Sequence, residues 1–70
     1  MIEVRAEIAA SVWKLLVAPG ATVGRGQQLA ILESMKMEMP VESEVAGVVK
    51  EIRCQEGQAV SEGETLVVVE

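Results

Sequence analysis

Residues 33–40 read Glu-Ser-Met-Lys-Met-Glu-Met-Pro, and the rest of the sequence is arranged around this stretch. Strand-forming residues lead into it at 29–32 and leave it through Val41, as they do in a β-hairpin. Two-residue hairpin turns require positive φ angles and therefore favour Asn-Gly, Asp-Gly or Gly-X. The tip of this hairpin is instead Met-Lys-Met, in which one lysine lies between two large apolar side chains. A local rule that is broken inside a consistent pattern indicates function, so Lys36 is the first candidate functional residue.

The segments around the hairpin have the apolar patterns of β-strands rather than of helices. We predict six strands, at 2–8, 12–18, 28–32, 39–42, 48–54 and 65–69. Pro40 cannot donate a hydrogen bond within a sheet, so its strand is expected at a sheet edge or at a bulge. No helical period extends beyond one turn, and valine and isoleucine dominate the apolar residues. The sequence therefore predicts an all-β domain, built as a sandwich or a barrel.

The chain is internally duplicated at an offset of 37 residues. Residues 2–33 align with residues 39–70 without a gap, and nine of the 32 aligned pairs are identical. The pattern Gly-x-x-Val-x-x-Gly-x-x-Leu occurs at 20–29 and again at 57–66. Matching turn glycines and core aliphatic residues predict two half-units that pack about a pseudo-two-fold axis.

The duplication also defines the domain and the place of its hairpin. We predict a single domain over residues 1–70, in which the two half-repeats are joined by a hairpin at 34–38. Apart from Met1, only this joining segment lies outside the repeat, and Lys36 is its midpoint. We therefore expect the lysine to project from one pole of the domain, with both chain ends at the other pole.

Composition excludes several classes of function. Seventy residues allow one small domain, and the net charge of −5 comes with basic residues that are scattered along the chain. Nucleic-acid binding is therefore not expected, because phosphate neutralisation requires a basic face. With Cys54 as its single cysteine, one chain cannot form a disulfide or a zinc site, and we interpret Cys54 and the only aromatic residue, Trp13, as structural. Without a signal peptide or a long apolar run, we expect a soluble cytoplasmic protein that does not interact with membranes.

The hairpin sequence resembles a known attachment motif. Residues 31–38, Ile-Leu-Glu-Ser-Met-Lys-Met-Glu, are similar to the motif of the biotinyl/lipoyl carrier family, whose biotin branch reads Glu-Ala/Ser-Met-Lys-Met. The resemblance covers essentially the whole chain, and in length it is greatest to free-standing biotin carboxyl carrier (biotin/lipoyl attachment) proteins. It implies a flattened barrel-sandwich hybrid of two four-stranded antiparallel sheets, with the modified lysine on the hairpin between the fourth and fifth strands. It also implies two further short strands, near 22–23 and 59–60. The family usually has glycine where Ala10 stands, as Gly47 does in the second half.

The resemblance implies a carrier rather than an enzyme. Biotin would be attached to Lys36 by a biotin protein ligase. The biotinylated chain would then carry carboxylate between the biotin carboxylase and carboxyltransferase subunits of an acyl-CoA or keto-acid carboxylase. Met35 and Met37 would be recognised by the ligase, and their flexible, polarizable side chains suit protein recognition. Glu33 is a possible further recognition residue, although it could equally be the end of a strand.

Two alternatives remain open at the level of sequence. The first is a lipoyl carrier of a 2-oxo acid dehydrogenase-type complex, with lipoate on Lys36. Lipoyl domains usually carry Asp just before the lysine, and Met35 in that place favours biotin. The second is an unmodified adaptor of the same fold that only binds proteins. For Met35 and Met37 the corresponding structural alternative is packing in the core of the hairpin.

Overall fold

The computed structural model describes all residues, 1–70, and consists of eight strands without a helix. The strands are β1 (Ile2–Arg5), β2 (Ala10–Leu15), β3 (Thr22–Val23), β4 (Gln28–Ser34), β5 (Met37–Glu42), β6 (Gly47–Ile52), β7 (Ala59–Val60) and β8 (Thr65–Val69). They form two four-stranded antiparallel sheets, in the orders β1-β8-β6-β3 and β5-β4-β2-β7. The predicted fold class is thereby confirmed, and so are the two short strands, β3 and β7. No helix is present that is long and apolar enough to cross a membrane.

The two sheets repeat one another strand by strand. The offset of 37 residues converts β1, β2, β3 and β4 into β5, β6, β7 and β8, and it converts the order of one sheet into the order of the other. Pairing registers follow the same offset: Ile2 pairs with Val69 as Met39 pairs with Leu32. The irregularities of the two edge pairs, β1–β8 and β4–β5, also lie at equivalent positions. The hairpin tip in one sheet therefore occupies the place that the two chain ends occupy in the other.

The core lies between the sheets and draws equally on both halves. Its largest fully buried side chains are aliphatic and include the repeat-related pairs Leu29 and Leu66, and Val12 and Val49. Burying one such side chain stabilises the fold by about 1.5–3 kcal/mol, which lets a chain with one aromatic residue form a stable core. Gly20 and Gly57, the first residues of the repeated motif, lie in turns with φ angles of +91° and +88°, a region that residues with a Cβ rarely adopt.

Three predicted strands are longer than the observed ones. The predicted strands 2–8, 12–18 and 48–54 end at Arg5, Leu15 and Ile52. Beyond these residues, Ala6 and Cys54 belong to the core and Val17 packs against it, although none of them lies in a strand. These loop residues are apolar because they are buried, and an apolar pattern therefore predicts strands that are too long. Cys54 is a buried free thiol that lies just after β6 rather than within it.

Other expectations concerned individual residues. Pro40 lies in β5, at the edge of its sheet, as predicted. Neither Ala10 nor Gly47 has a positive φ angle, so Ala10 carries no strain of that kind. Gly47 is needed for another reason, because a Cβ there would lie 2.4 Å from the backbone oxygen of Glu70. Trp13, which the sequence analysis interprets as structural, does not shield the core, because it is 43% exposed and lies outside the core cluster.

Candidate functional site

The hairpin between β4 and β5 closes with a two-residue turn. Ser34 pairs with Met37, which leaves Met35 and Lys36 as the two central residues. Their φ angles are +52° and +65°, and they are the only non-glycine residues with positive φ in the chain. Positive φ at both central residues is the signature of a type I′ turn, which normally uses Asn-Gly. A residue with a Cβ costs roughly 1–2 kcal/mol in this region, so the turn is strained.

Pairing of the flanking strands explains how this unfavourable turn forms. β4 and β5 pair from Gln28–Glu42 up to Ser34–Met37, and the pair directly below the glutamates is Leu32–Met39. Leu32 is buried and Met39 packs against the core, so both strands are held in register by hydrophobic contacts. A shift of one residue would move the apolar side chains of a strand to its other face. Core packing, rather than turn propensity, therefore forces two consecutive residues into the left-handed region.

The side chains at the tip are held out from the domain. Lys36 is exposed, and its amine makes no hydrogen bond or ion pair. Met35 and Met37 are 92% and 65% exposed. Core packing of these two methionines, the alternative left open by the sequence, is therefore contradicted. The tip presents a free primary amine between two thioether side chains, on a rigid two-stranded support.

Glu33 lies on the outer face of the same sheet, next to the turn. It pairs with Glu38 on one side and with Ser11 on the other, and all three residues are exposed. Neither glutamate takes part in an ion pair. Like charges that lie directly opposite one another are destabilising in a sheet. Two carboxylates without a cation therefore adjoin the tip.

Nothing beside the tip supplies the usual means of activating a nucleophile. No group of three His, Cys, Asp or Glu residues could hold a metal ion. Burial raises the pKa of the Cys54 thiol, and the nearby Glu64 carboxylate raises it further. The chain has no histidine. The arrangement fits an amine that is modified in the active site of another protein.

Comparison with known proteins agrees with this geometry. The Biotin_lipoyl family model, described as "Biotin-requiring enzyme", matches residues 3–69. The biotin/lipoyl attachment protein of Bacillus subtilis is 44% identical over 61 residues, which are 87% of this chain and 84% of that protein. The biotinylated protein TB7.3 homolog of Mycobacterium leprae is 43% identical over 67 residues, which are 96% of this chain and 94% of that protein. The biotin carboxyl carrier protein of Streptococcus mutans is 41% identical over 59 residues, or 84% of this chain and 45% of that protein.

Solved structures from both branches of the family share this fold. Urea carboxylase of Kluyveromyces lactis superposes with a TM-score of 0.92 and 30% identity, over 99% of this chain but only 6% of that enzyme. The lipoyl domain of the 2-oxoglutarate dehydrogenase complex from Azotobacter vinelandii superposes with a TM-score of 0.84 and 29% identity, over 100% of this chain and 96% of that domain. Given a family match over nearly the whole sequence and relatives above 40% identity, the chain belongs to the Biotin_lipoyl family, the biotinyl/lipoyl attachment domains of biotin-requiring enzymes.

Proposed function

We propose that the chain is a biotin carboxyl carrier in which biotin is joined to the Nζ atom of Lys36 through an amide bond. The observation that carries this proposal is the exposed, unpaired amine at the tip of a strained turn between two exposed methionines. Bound biotin would supply a ureido group that takes up carboxylate and releases it to an acceptor. The residues of the chain hold the attachment point outward and leave the carboxylation chemistry to partner enzymes.

The residues present fit attachment of this group. An amine that another enzyme must acylate has to be accessible without unfolding, and Lys36 meets this condition because it stands at the end of β4 and β5. Positive φ at two consecutive residues makes the tip narrow, so the turn can enter a ligase active site. We assign recognition by the biotin protein ligase to Met35 and Met37, whose exposed thioethers flank the amine. Glu33 lies beside the tip and is a further candidate contact for the ligase.

The proposed partners follow from the carrier role. The biotinylated chain would serve the biotin carboxylase and carboxyltransferase components of a carboxylase that acts on an acyl-CoA or a keto acid. Carboxylases among the matched proteins support this role, since the alpha chain of human propionyl-CoA carboxylase is 41% identical over 54 residues, or 77% of this chain and 7% of that protein. The proposed setting is the cytoplasm.

A lipoyl carrier is the second candidate function. The close superposition on a lipoyl domain favours it, because a shared fold presents the lysine in the same way. Met35, in place of the Asp that usually precedes a lipoyl lysine, supports biotin instead. The two candidates differ in the mass that they add to Lys36.

The intact mass of the protein purified from its native cells tests the proposal. We expect the mass of one biotinyl group, a streptavidin signal on a blot, and the modified residue in the peptide that contains Lys36. The variant Lys36→Arg keeps the positive charge and should lose all modification. A lipoyl mass without a streptavidin signal would assign the chain to the lipoyl branch. An unmodified endogenous protein, with a cell phenotype that Lys36→Arg leaves unchanged, would instead favour an adaptor.

A further inference from the structure

The two sheets have equivalent backbones but different side chains on their outer faces. Equivalent positions of the two sheets can therefore be compared directly. On the sheet that carries the chain ends, the outer face around Glu3 and Glu51 is polar. Arg5 donates a hydrogen bond to Glu3 at 2.9 Å, and Thr65 donates to the same carboxylate oxygen at 2.9 Å. Arg53 and Glu51 form an ion pair beside them. The hydrogen bonds from Arg5 and Thr65 lower the pKa of the Glu3 carboxyl below its ordinary value.

This polar network covers an apolar residue. Val68 pairs with Glu3 and with Glu51, which are both exposed, so its side chain lies on the outer face. It is nevertheless only 4% exposed, although it is not part of the core cluster. Side chains of the network therefore shield Val68 from water on the outside of the sheet, and this face is closed by the chain itself.

On the hairpin sheet, the part of the outer face that lies below Glu33 and Glu38 is apolar and open. Lys14, Ile31 and Pro40 form one row across β2, β4 and β5. Trp13 precedes this row at the irregularity of β2, and Leu16 follows it. Trp13 and Leu16 are 43% and 47% exposed, and Ile31, the equivalent of Val68, is partly exposed. The ammonium of Lys14 lies 5.6 Å from the centroid of the Trp13 ring. We call Trp13, Leu16, Ile31 and Pro40 the apolar face.

The repeat shows that the fold does not require apolar residues at three of these four positions. At equivalent positions the other sheet has charged side chains: Lys50 for Trp13, Arg53 for Leu16, and Glu3 for Pro40. A fold that accepts charge at three positions of one sheet has no structural need for apolar side chains at the same positions of the other. A group of exposed apolar side chains on one face commonly marks an interaction site, and tryptophan is enriched among residues that dominate binding.

We propose that the apolar face is the surface on which the biotin carboxylase component docks while it carboxylates the biotin on Lys36. This inference rests on the proposed function. The partner surface would have an apolar centre for Trp13 and Leu16 and basic side chains around it. The contact is small, which suits a carrier that must leave after each transfer, because weak transient interfaces lie at the low end of buried area.

Position on the sheet favours the carboxylase over the ligase. The Ile31–Pro40 pair lies three residues below the Ser34–Met37 pair, or about 10 Å from the turn at the strand rise of about 3.3 Å per residue. A ligase must bring the amine itself into its active site and therefore contacts the turn. A carboxylase receives the ring at the end of the longer biotinyl-lysine arm, so its contact with the domain is displaced from the turn.

Charge around the apolar face indicates the chemistry of the partner. Glu33, Glu38 and Glu42 are exposed on β4 and β5, and none of them is part of an ion pair. The first two lie opposite one another, so a cation from another protein would relieve their repulsion. Complementary charge of this kind speeds association and sets orientation more than it adds affinity. A partner with basic residues beside an apolar centre matches both features.

The double variant Trp13→Ser/Leu16→Ser tests the proposal without a change in charge. Wild type and variant are biotinylated fully, and carboxylation is then followed with the biotin carboxylase component, Mg-ATP and bicarbonate while the carrier concentration is varied. We expect KM for the carrier to rise by about tenfold or more, since truncation of buried tryptophan anchors commonly has at least this effect. We expect kcat, and the rate of biotinylation by the ligase, to stay within about twofold of wild type.

Val48→Ser is the matched control, because Val48 is an apolar residue on the other sheet that is 41% exposed. Its KM should equal that of wild type. An unchanged KM in the folded, biotinylated double variant would overturn the proposal and leave the carrier function intact. A slower ligase reaction at unchanged KM would assign the face to the ligase, and loss of a wild-type dimer in sedimentation at unchanged KM would assign it to a second copy; both results overturn the proposal. Failure of wild type to accept biotin would refute the proposed function itself.

Discussion

Replacement of Met35 by glycine tests whether the hairpin turn that carries Lys36 stores backbone strain. Met35 has a φ angle of +52° and its side chain is 92% exposed, so the replacement relieves a strained conformation and removes almost no buried surface. A residue with a Cβ costs roughly 1–2 kcal/mol in the left-handed region, whereas glycine costs about 0.5–1 kcal/mol in additional chain entropy. At the centres of these two ranges, the difference leaves Met35→Gly about 0.75 kcal/mol more stable than wild type.

Met37→Gly is the matched control, since it is the same change on the other side of Lys36. Met37 has no positive φ angle, so glycine relieves no strain there. Because Met37 is 65% exposed, the change also removes the burial of about a third of its surface. The larger conformational entropy that glycine loses on folding costs about 0.5–1 kcal/mol, and the lost apolar burial costs about 0.5–1 kcal/mol. Together they destabilise the variant by about 1–2 kcal/mol. The two glycine variants should therefore differ from wild type in opposite directions.

Thermal and urea unfolding, followed by far-UV circular dichroism, measure the two changes. For a domain of this size, the Met35→Gly gain corresponds to a rise in Tm of roughly 3–6 °C. The same variant should accept biotin more slowly, because a proposed contact of the ligase is lost. If Met35→Gly lowers Tm as much as Met37→Gly does, the turn is not strained in solution and the reasoning from its φ angles is refuted.

Three further predictions concern the scaffold. Gly47→Ala should destabilise the fold by about 2 kcal/mol or more, because the added Cβ would overlap the backbone of Glu70. Gly24→Ala should be neutral or stabilising by up to about 1 kcal/mol, because nothing lies within 4 Å of a Cβ at that position. Equal midpoints of urea unfolding for the two variants would contradict this prediction. Because Arg5 lowers the pKa of the Glu3 carboxyl in the folded state, the stabilisation from this pair is present above pH 4.5 and is lost as the pH falls below it. Glu3→Gln should therefore make the free energy of unfolding, measured with urea, less dependent on pH in the acid range. An unchanged dependence would argue against the pair. Cys54, buried and with a raised pKa, should react with iodoacetamide at neutral pH only after urea is added, as mass spectrometry would show; fast labelling of the folded protein would contradict its burial.

Much of this protein can be predicted from sequence because the relevant signals are local or repeated. The glycines and aliphatic residues of the repeat indicate an all-β fold, and the Met-Lys-Met tip predicts Lys36 because it lies at the midpoint between the two repeats. The ends of the strands are harder to predict from sequence. Ala6, Val17 and Cys54 lie in loops but pack into or against the core, so their apolar character does not distinguish them from strand residues. The short strands β3 and β7 have two residues each, too few for any pattern, and were implied only by the family resemblance.

Tertiary structure alone decided two features that bear on function. The first is the backbone strain at Met35 and Lys36. This strain exists because contacts of β4 and β5 with the core fix the register of the hairpin, although Met and Lys do not favour a turn with positive φ angles. The second is the side of the sheet to which Trp13 belongs. Period-two alternation assigns sides only while pairing is regular, and the register of β2 shifts between Val12 and Lys14, so the side of the bulged residue depends on pairing with a distant strand. Sequence thus predicted Lys36 as the functional lysine, and the fold decided how this residue is held and which surface lies beside it.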